Sequence, residues 1–198
     1  NITTPSGASV LTTGTQTYND AVVLMKDTVL TSTGAGTAGN LRFVSSVMGD
    51  SNTAHDLTVN GTNVDFAGPV GSSTAWVGAL RVNASGLTQF NDVVTVDNLA
   101  TDAAGMVKFN IAPTAGASVL TTGTQTYADA VVLMQDTTLT STGTGAAGNI
   151  HFAQTVMGDG TVAQNLSVTG ANVNFANTVG SLGTVSYTHL TLPTILLV

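Results

Sequence analysis

The sequence predicts an all-β protein, a parallel β-helix or β-solenoid of about eight coils, each of 18–25 residues and built from three short strands. Three observations predict it. First, residues 7–33, GASVLTTGTQTYNDAVVLMKDTVLTST, return as residues 116–142, GASVLTTGTQTYADAVVLMQDTTLTST, with changes only at Asn19/Ala128, Lys26/Gln135 and Val29/Thr138. The offset of about 109 residues persists, pairing Phe43 with Phe152, Met48-Gly49-Asp50 with Met157-Gly158-Asp159, and Phe66 with Phe175. Second, a shorter period lies inside the long one: an aromatic residue followed four residues later by Val or Pro. Third, Val, Leu and aromatic residues alternate with polar ones in short runs, while no apolar stripe of helical period is sustained.

Along one coil each element has its own justification. The aromatics are Tyr18, Phe43, Phe66, Phe90, Phe109, Tyr127, Phe152 and Phe175, with successive spacings of 25, 23, 24, 19, 18, 25 and 23, about one solenoid coil each. Around them, Leu41-Arg42-Phe43, Val64-Asp65-Phe66, Val107-Lys108-Phe109, Ile150-His151-Phe152 and Val173-Asn174-Phe175 place the outer two residues in a core and the middle one in water. Two residues past the aromatic stand Asp20, Ser45, Gly68, Asp92, Ile111, Asp129, Gln154 and Asn177, mostly turn formers, so the chain bends there. A second strand follows, marked by Val22, Val47, Val70, Val94, Pro113, Val131, Val156 and Val179. Leu57-Thr58-Val59, Leu80-Arg81-Val82 and Leu166-Ser167-Val168 supply the third, giving a triangular cross-section. At ~4.8 Å per coil, eight coils make a rod roughly 40 Å long, cored by ladders of Phe, Val and Leu.

The solenoid is expected over residues 1–185, as one long repeat and most of a second, with both ends cut from something longer. Residues 186–198, SYTHLTLPTILLV, share nothing with residues 77–89, which the offset pairs with them. They resemble the translation of a sequencing adapter and are expected to be a non-native tail.

Composition narrows the function. Charged residues are 8% of the chain, and the net charge of −7 comes from 11 Asp, with no Glu, against Lys26, Arg42, Arg81 and Lys108. Such a surface repels phosphate backbones, so no nucleic-acid partner is expected. Cysteine is absent, which removes disulfides and thiolate metal sites. No run reaches the 18 apolar residues of a spanning helix, so this segment is not expected to insert in a membrane.

Residues with catalytic or ligand-binding potential have plainer roles. Glycoside hydrolysis needs paired carboxylates, but Asp20, Asp92 and Asp129 in the turn column are separated by Ser45, Gly68 and Ile111, and the nearest two, Asp92 and Asp129, are expected two coils apart. His55, His151 and His189 share no metal-ligand spacing, and His151 is expected in the outward column of Arg42, Asp65 and Lys108. Arg42 and Asp65, on adjacent coils, are placed to form a cross-strand pair. Gly-Asp at 49–50 and 158–159 reads as a turn, without the glycine-rich nonapeptide that binds calcium. Trp76, the sole Trp, falls in a loop, where partial burial against the coil outweighs ligand stacking. No catalytic, cofactor or metal residue is therefore expected.

The run T-T-G-T-Q-T-Y-x-D-A-V-x-L at residues 121–133, G-N-I-x-F-x-x-T-V-x-G at 148–158 and N-L-x-V at 165–168, with a first copy upstream, resembles repeats of filamentous-haemagglutinin-like large exoproteins and autotransporter adhesin passengers. The resemblance covers roughly residues 2–184. It implies a right-handed helix, export through an outer-membrane β-barrel transporter, and a place at the bacterial cell surface or in the secreted fraction. The expectation is a structural and binding stalk without catalysis. Its partner is then a host or neighbouring-cell surface component, or another copy of itself. Two alternatives stand beside it: a polysaccharide-acting β-helix enzyme, and a self-associating surface-layer or matrix protein.

Overall fold

The computed structural model describes residues 7–50, 53–112, 116–180 and, for the backbone, 185–191. Pro113 and the last residues of the tail lie outside them. The chain is a parallel β-solenoid of about seven turns with three faces. Among the described residues the only helical pieces are two 3₁₀ turns, Gly36–Gly39 and Gly145–Gly148.

Each face is built by short strands whose alternation matches burial. Leu41–Phe43 is buried, exposed, buried, and Val64–Phe66 follows the same parity. Face one stacks Gln16–Tyr18, Leu41–Phe43, Val64–Phe66, Leu87–Phe90 and Met106–Phe109, all in parallel register. Face two stacks Val22–Leu24 on Val47–Gly49 and continues through single bridges at Val70 and Val94. Face three stacks Val10–Thr12, Thr28–Ser32, His55–Gly61, Val77–Ala84 and the later part of Val94–Thr101, a strand that starts on face two at Val94 and turns the edge. The chain visits the faces in the order one, two, three.

The second long repeat does not stack on the first face for face. Val94 of face two pairs with Val119, whose first-copy equivalent Val10 belongs to face three. Leu99 and Thr101 of face three pair with Gln125 and Tyr127, the equivalents of Gln16 and Tyr18 on face one. Val107 and Phe109 of face one pair with Val131 and Leu133, the equivalents of Val22 and Leu24 on face two. All three handovers shift by one face in the same sense, so the second copy is rotated by a third of a turn about the rod axis. Four whole turns separate Tyr18 from Phe109, and the next aromatic, Tyr127, arrives two faces later. One long repeat therefore occupies four and two-thirds turns.

This rotation revises the count of eight coils. Eight aromatic levels predict eight coils, but the step from Phe109 to Tyr127 is only two-thirds of a turn. Spacing does not reveal this, because the step from Phe90 to Phe109, of nearly the same length, goes round all three faces. The difference lies in the pairing: Tyr127 stands on Thr101 of face three, whereas Phe109 stands on Phe90 of face one. The backbone of Val185–Thr191 lies as a strand on Gln164–Thr169, with a register irregularity between Leu166 and Val168. It takes the topological place that Val77–Ala84 holds in the first copy.

Candidate functional site

The aromatic residues form the spine of the core. Phe43, Phe66, Phe90, Phe109, Tyr127 and Phe152 are at most 1% exposed. From Tyr18 to Phe109 consecutive rings are stacked, with centroids 4.8–5.7 Å apart and planes within 16°. Phe109 and Tyr127 meet edge to face instead, at 5.6 Å and 88°. Their rings project from different faces, and the quadrupoles of aromatic rings favour that perpendicular contact. Stacking resumes through Tyr127, Phe152 and Phe175 at 5.0 and 4.6 Å.

The valine column divides at the same junction. Val22, Val47, Val70 and Val94 climb face two, whereas Val131, Val156 and Val179 climb face one above Val107. Rotation also corrects two placements. His151 pairs with Thr126 and Asn174, away from the column of Arg42, Asp65, Gln89 and Lys108, and its Nδ1 lies 3.2 Å from Asn174 Oδ1. Asp92 and Asp129 lie on different edges of the triangle, not two levels apart on one. Arg42 Nε and Asp65 Oδ2 are 3.2 Å apart on the exposed surface, as adjacent coils of one column allow, and Arg81 Nη1 reaches diagonally to Asp56 Oδ2 at 3.3 Å, beside the register shift between His55 and Leu57.

Most of the remaining acids hold turns. Asp27 and Asp136 accept the backbone N–H groups of Asp56 and Asn165, 29 residues on. Asp50 accepts the Thr53 N–H and Asp159 the Thr161 N–H, so both Gly-Asp pairs open side-chain-capped turns. Donors from Asn165 and Thr161 hold Asp136 and Asp159 below the ordinary carboxylate range. Among the described residues no group of three or more acids and histidines is gathered as for a metal ion.

Asp129 is different. Its first-copy equivalent, Asp20, is exposed beside the first strand of face one, which has a strand neighbour on one side only, whereas Asp129 is 1% exposed beside the Thr101 side chain. Neither carboxylate oxygen has a hydrogen-bond partner, nor does Thr101 Oγ1. The Thr101 hydroxyl favours the ionised form, but less than burial opposes it. Burial and then the neighbouring Asp102 carboxylate raise Asp129 to about 7. Asp102, whose Oδ1 accepts the Ala84 N–H at 3.1 Å, is itself raised by burial.

The T-T-G-T-Q-T-Y motif builds an internal polar network that alternation alone did not reveal. Tyr127 donates to Gln125 Oε1 at 2.8 Å, and Gln125 Nε2 donates to Thr121 Oγ1 and to the Thr140 carbonyl. Ser141 and Thr121 donate to the Gly123 carbonyl. Tyr18, Gln16, Thr12, Thr31, Ser32 and Gly14 repeat these bonds in the first copy. The signal was a glutamine held at an inward position of a strand in both copies.

Trp76 lines a groove that combines an aromatic ring with acids. The groove has a volume of about 370 Å³ and is lined by Asp50, Thr53, Ala54, Thr74, Trp76, Asp97 and Thr122. It runs along the edge between faces two and three and crosses four successive levels, because His55, Val77, Val96 and Thr121 are paired in turn. Gly49 allows its floor: a Cβ there would overlap the Trp76 carbonyl of the next coil. Asp97 Oδ1 accepts the Thr122 hydroxyl at 2.9 Å. Beside the groove, His55 Nε2 lies 3.6 Å from Asp50 Oδ2 and its Nδ1 3.8 Å from Asp27 Oδ1.

Neither models of protein families, nor curated proteins, nor solved structures give a match to this chain.

Proposed function

We propose that the chain is a stalk segment of a secreted, surface-exposed bacterial adhesin of the filamentous-haemagglutinin-like kind, exported through an outer-membrane transporter and acting by binding rather than catalysis. The observation that supports this most is the junction between copies. Phe109, Val107, Leu99 and Val94 all find strand partners in the second copy although that copy is rotated, so the unit extends along one axis without a break in its hydrogen-bonded ladders. Such a unit lengthens a rod by adding copies, each needing only its neighbour. The polar outer columns and the use of Asp27, Asp50, Asp136 and Asp159 as turn acceptors fit a carrier surface. A host or neighbouring-cell surface component is the proposed partner.

Immunogold labelling of intact source cells with antibody against the folded chain tests this. Label on fibres outside the outer membrane, with cell attachment lost on deleting the gene, is expected. Label only inside permeabilised cells overturns it.

A further inference from the structure

The geometry points to a second role for the Trp76 groove: binding a neutral, hydroxyl-rich glycan chain laid along the rod axis. This goes beyond the stalk proposal, since a stalk needs no ligand on its flank.

Four features of the groove select that ligand. Trp76 is half-buried, so its loop is held against the coil while part of the ring remains open. An indole face offers an apolar surface to the C–H face of a pyranose. Asp50 and Asp97 are acceptors for sugar hydroxyls, and the exposed hydroxyls of Thr53 and Thr74 both donate and accept. Hydrogen bonds to ionised carboxylates are the stronger kind. The lining has no Lys or Arg, and the chain carries −7 overall, so uronate or sulfated chains are repelled.

Shape selects an extended ligand. Four strand levels span about 14 Å along the axis, which suits two or three consecutive sugar rings, and the shallow lining gives a peptide no pocket for an apolar side chain. At equivalent positions of the second copy Thr53 is replaced by Val162, which is 68% exposed, and Trp76 by Val185. The near-identical core motifs recur, whereas Trp76 does not: the groove is lined by first-copy residues and by Thr122 from the start of the second copy.

Because Trp76 is the only Trp, its fluorescence reports this groove and nothing else. The whole chain is titrated with neutral hexasaccharides (β-1,4-linked glucose, N-acetylglucosamine and mannose, and α-1,4-linked glucose), with oligogalacturonate, and with hexalysine. A saturable emission change with at least one neutral hexasaccharide and none with oligogalacturonate is expected. Calorimetry should show binding lost in Trp76→Ala and weakened about tenfold in Asp97→Asn, each with an unchanged circular dichroism spectrum, the latter reflecting one charge-assisted hydrogen bond. No response to any neutral hexasaccharide, full binding by the folded Trp76→Ala variant, or a response to hexalysine alone overturns the proposal. The cell-surface labelling is independent of all these outcomes. Should Trp76→Ala fail to fold, the surface change Asp97→Asn with the wild-type titration decides.

Discussion

Asp129 and Tyr127 show how one sequence motif acquires two environments. Asp129 has its folded-state value raised from the ordinary 3.8 to about 7, so between those values the native chain binds a proton more firmly than the unfolded chain. Its contribution to stability is therefore greatest below about pH 4 and declines as the pH rises through 7. Asp102, raised for the same reason, acts in the same sense, while Asp136 and Asp159, held low by donors, act oppositely in acid. Asp129→Asn removes the ionisable group at nearly constant shape, so it should raise Tm at pH 8 and give no such gain at pH 4, read from thermal melts across pH. An equal gain at both values would show that charge burial is not the cause. Tyr127→Phe leaves the buried Gln125 Oε1 without its donor and should cost about 1–3 kcal/mol in denaturant unfolding. Tyr18→Phe deletes the same bond where water reaches the half-buried ring, and should cost less than half as much.

Strands and turns were legible because each carries its signal locally. Leu41-Arg42-Phe43 states its burial parity outright, and the register Tyr18, Phe43, Phe66, Phe90, Phe109 follows from one column of like residues. What the sequence hid is where a column changes face. Nothing in Phe109 or Tyr127 says that their rings meet at 88°; the only trace is a spacing of 18, and a short step reads equally well as a small coil or a partial one. His151 and Asp129 depart from the columns their spacing predicts for that single reason. The groove was hidden because its lining comes from four levels and no two of its acids are near in sequence. Within the ladder, Phe90 is fully buried between Phe66 and Phe109 at 5.2 and 5.7 Å. Truncating it removes two ring contacts and opens a cavity that its fixed neighbours fill poorly, so Phe90→Ala should cost about 3–5 kcal/mol by denaturant unfolding. A loss below about 1 kcal/mol would mean that the stacked spine is not the main support.

At the scale of the whole molecule, a repeat of four and two-thirds turns makes the copies a threefold screw. Each step advances about 22 Å at the ordinary strand spacing and turns the surface by one face, so three copies present every once-per-copy feature on all three edges. The 3₁₀ turns already show the first step. Gly36–Gly39 precedes Leu41–Phe43 on the edge between faces three and one, while Gly145–Gly148 precedes Asn149–Phe152, which is paired into face three. A rod of this kind meets neighbours equally from every side, whereas whole-turn repeats would line their loops along a single edge. The chain has no cysteine, so spin labels introduced at Ala35 and Thr144, equivalent positions just before the two 3₁₀ turns, report that geometry cleanly. Two labels on one edge five turns apart would lie roughly 24 Å apart. Rotation adds the step to the next edge to an axial rise of about 22 Å, so the dipolar distance should be clearly longer than the single-edge value. A distance of about 24 Å, five whole strand spacings, would instead place both turns on one edge and restore whole coils between the copies.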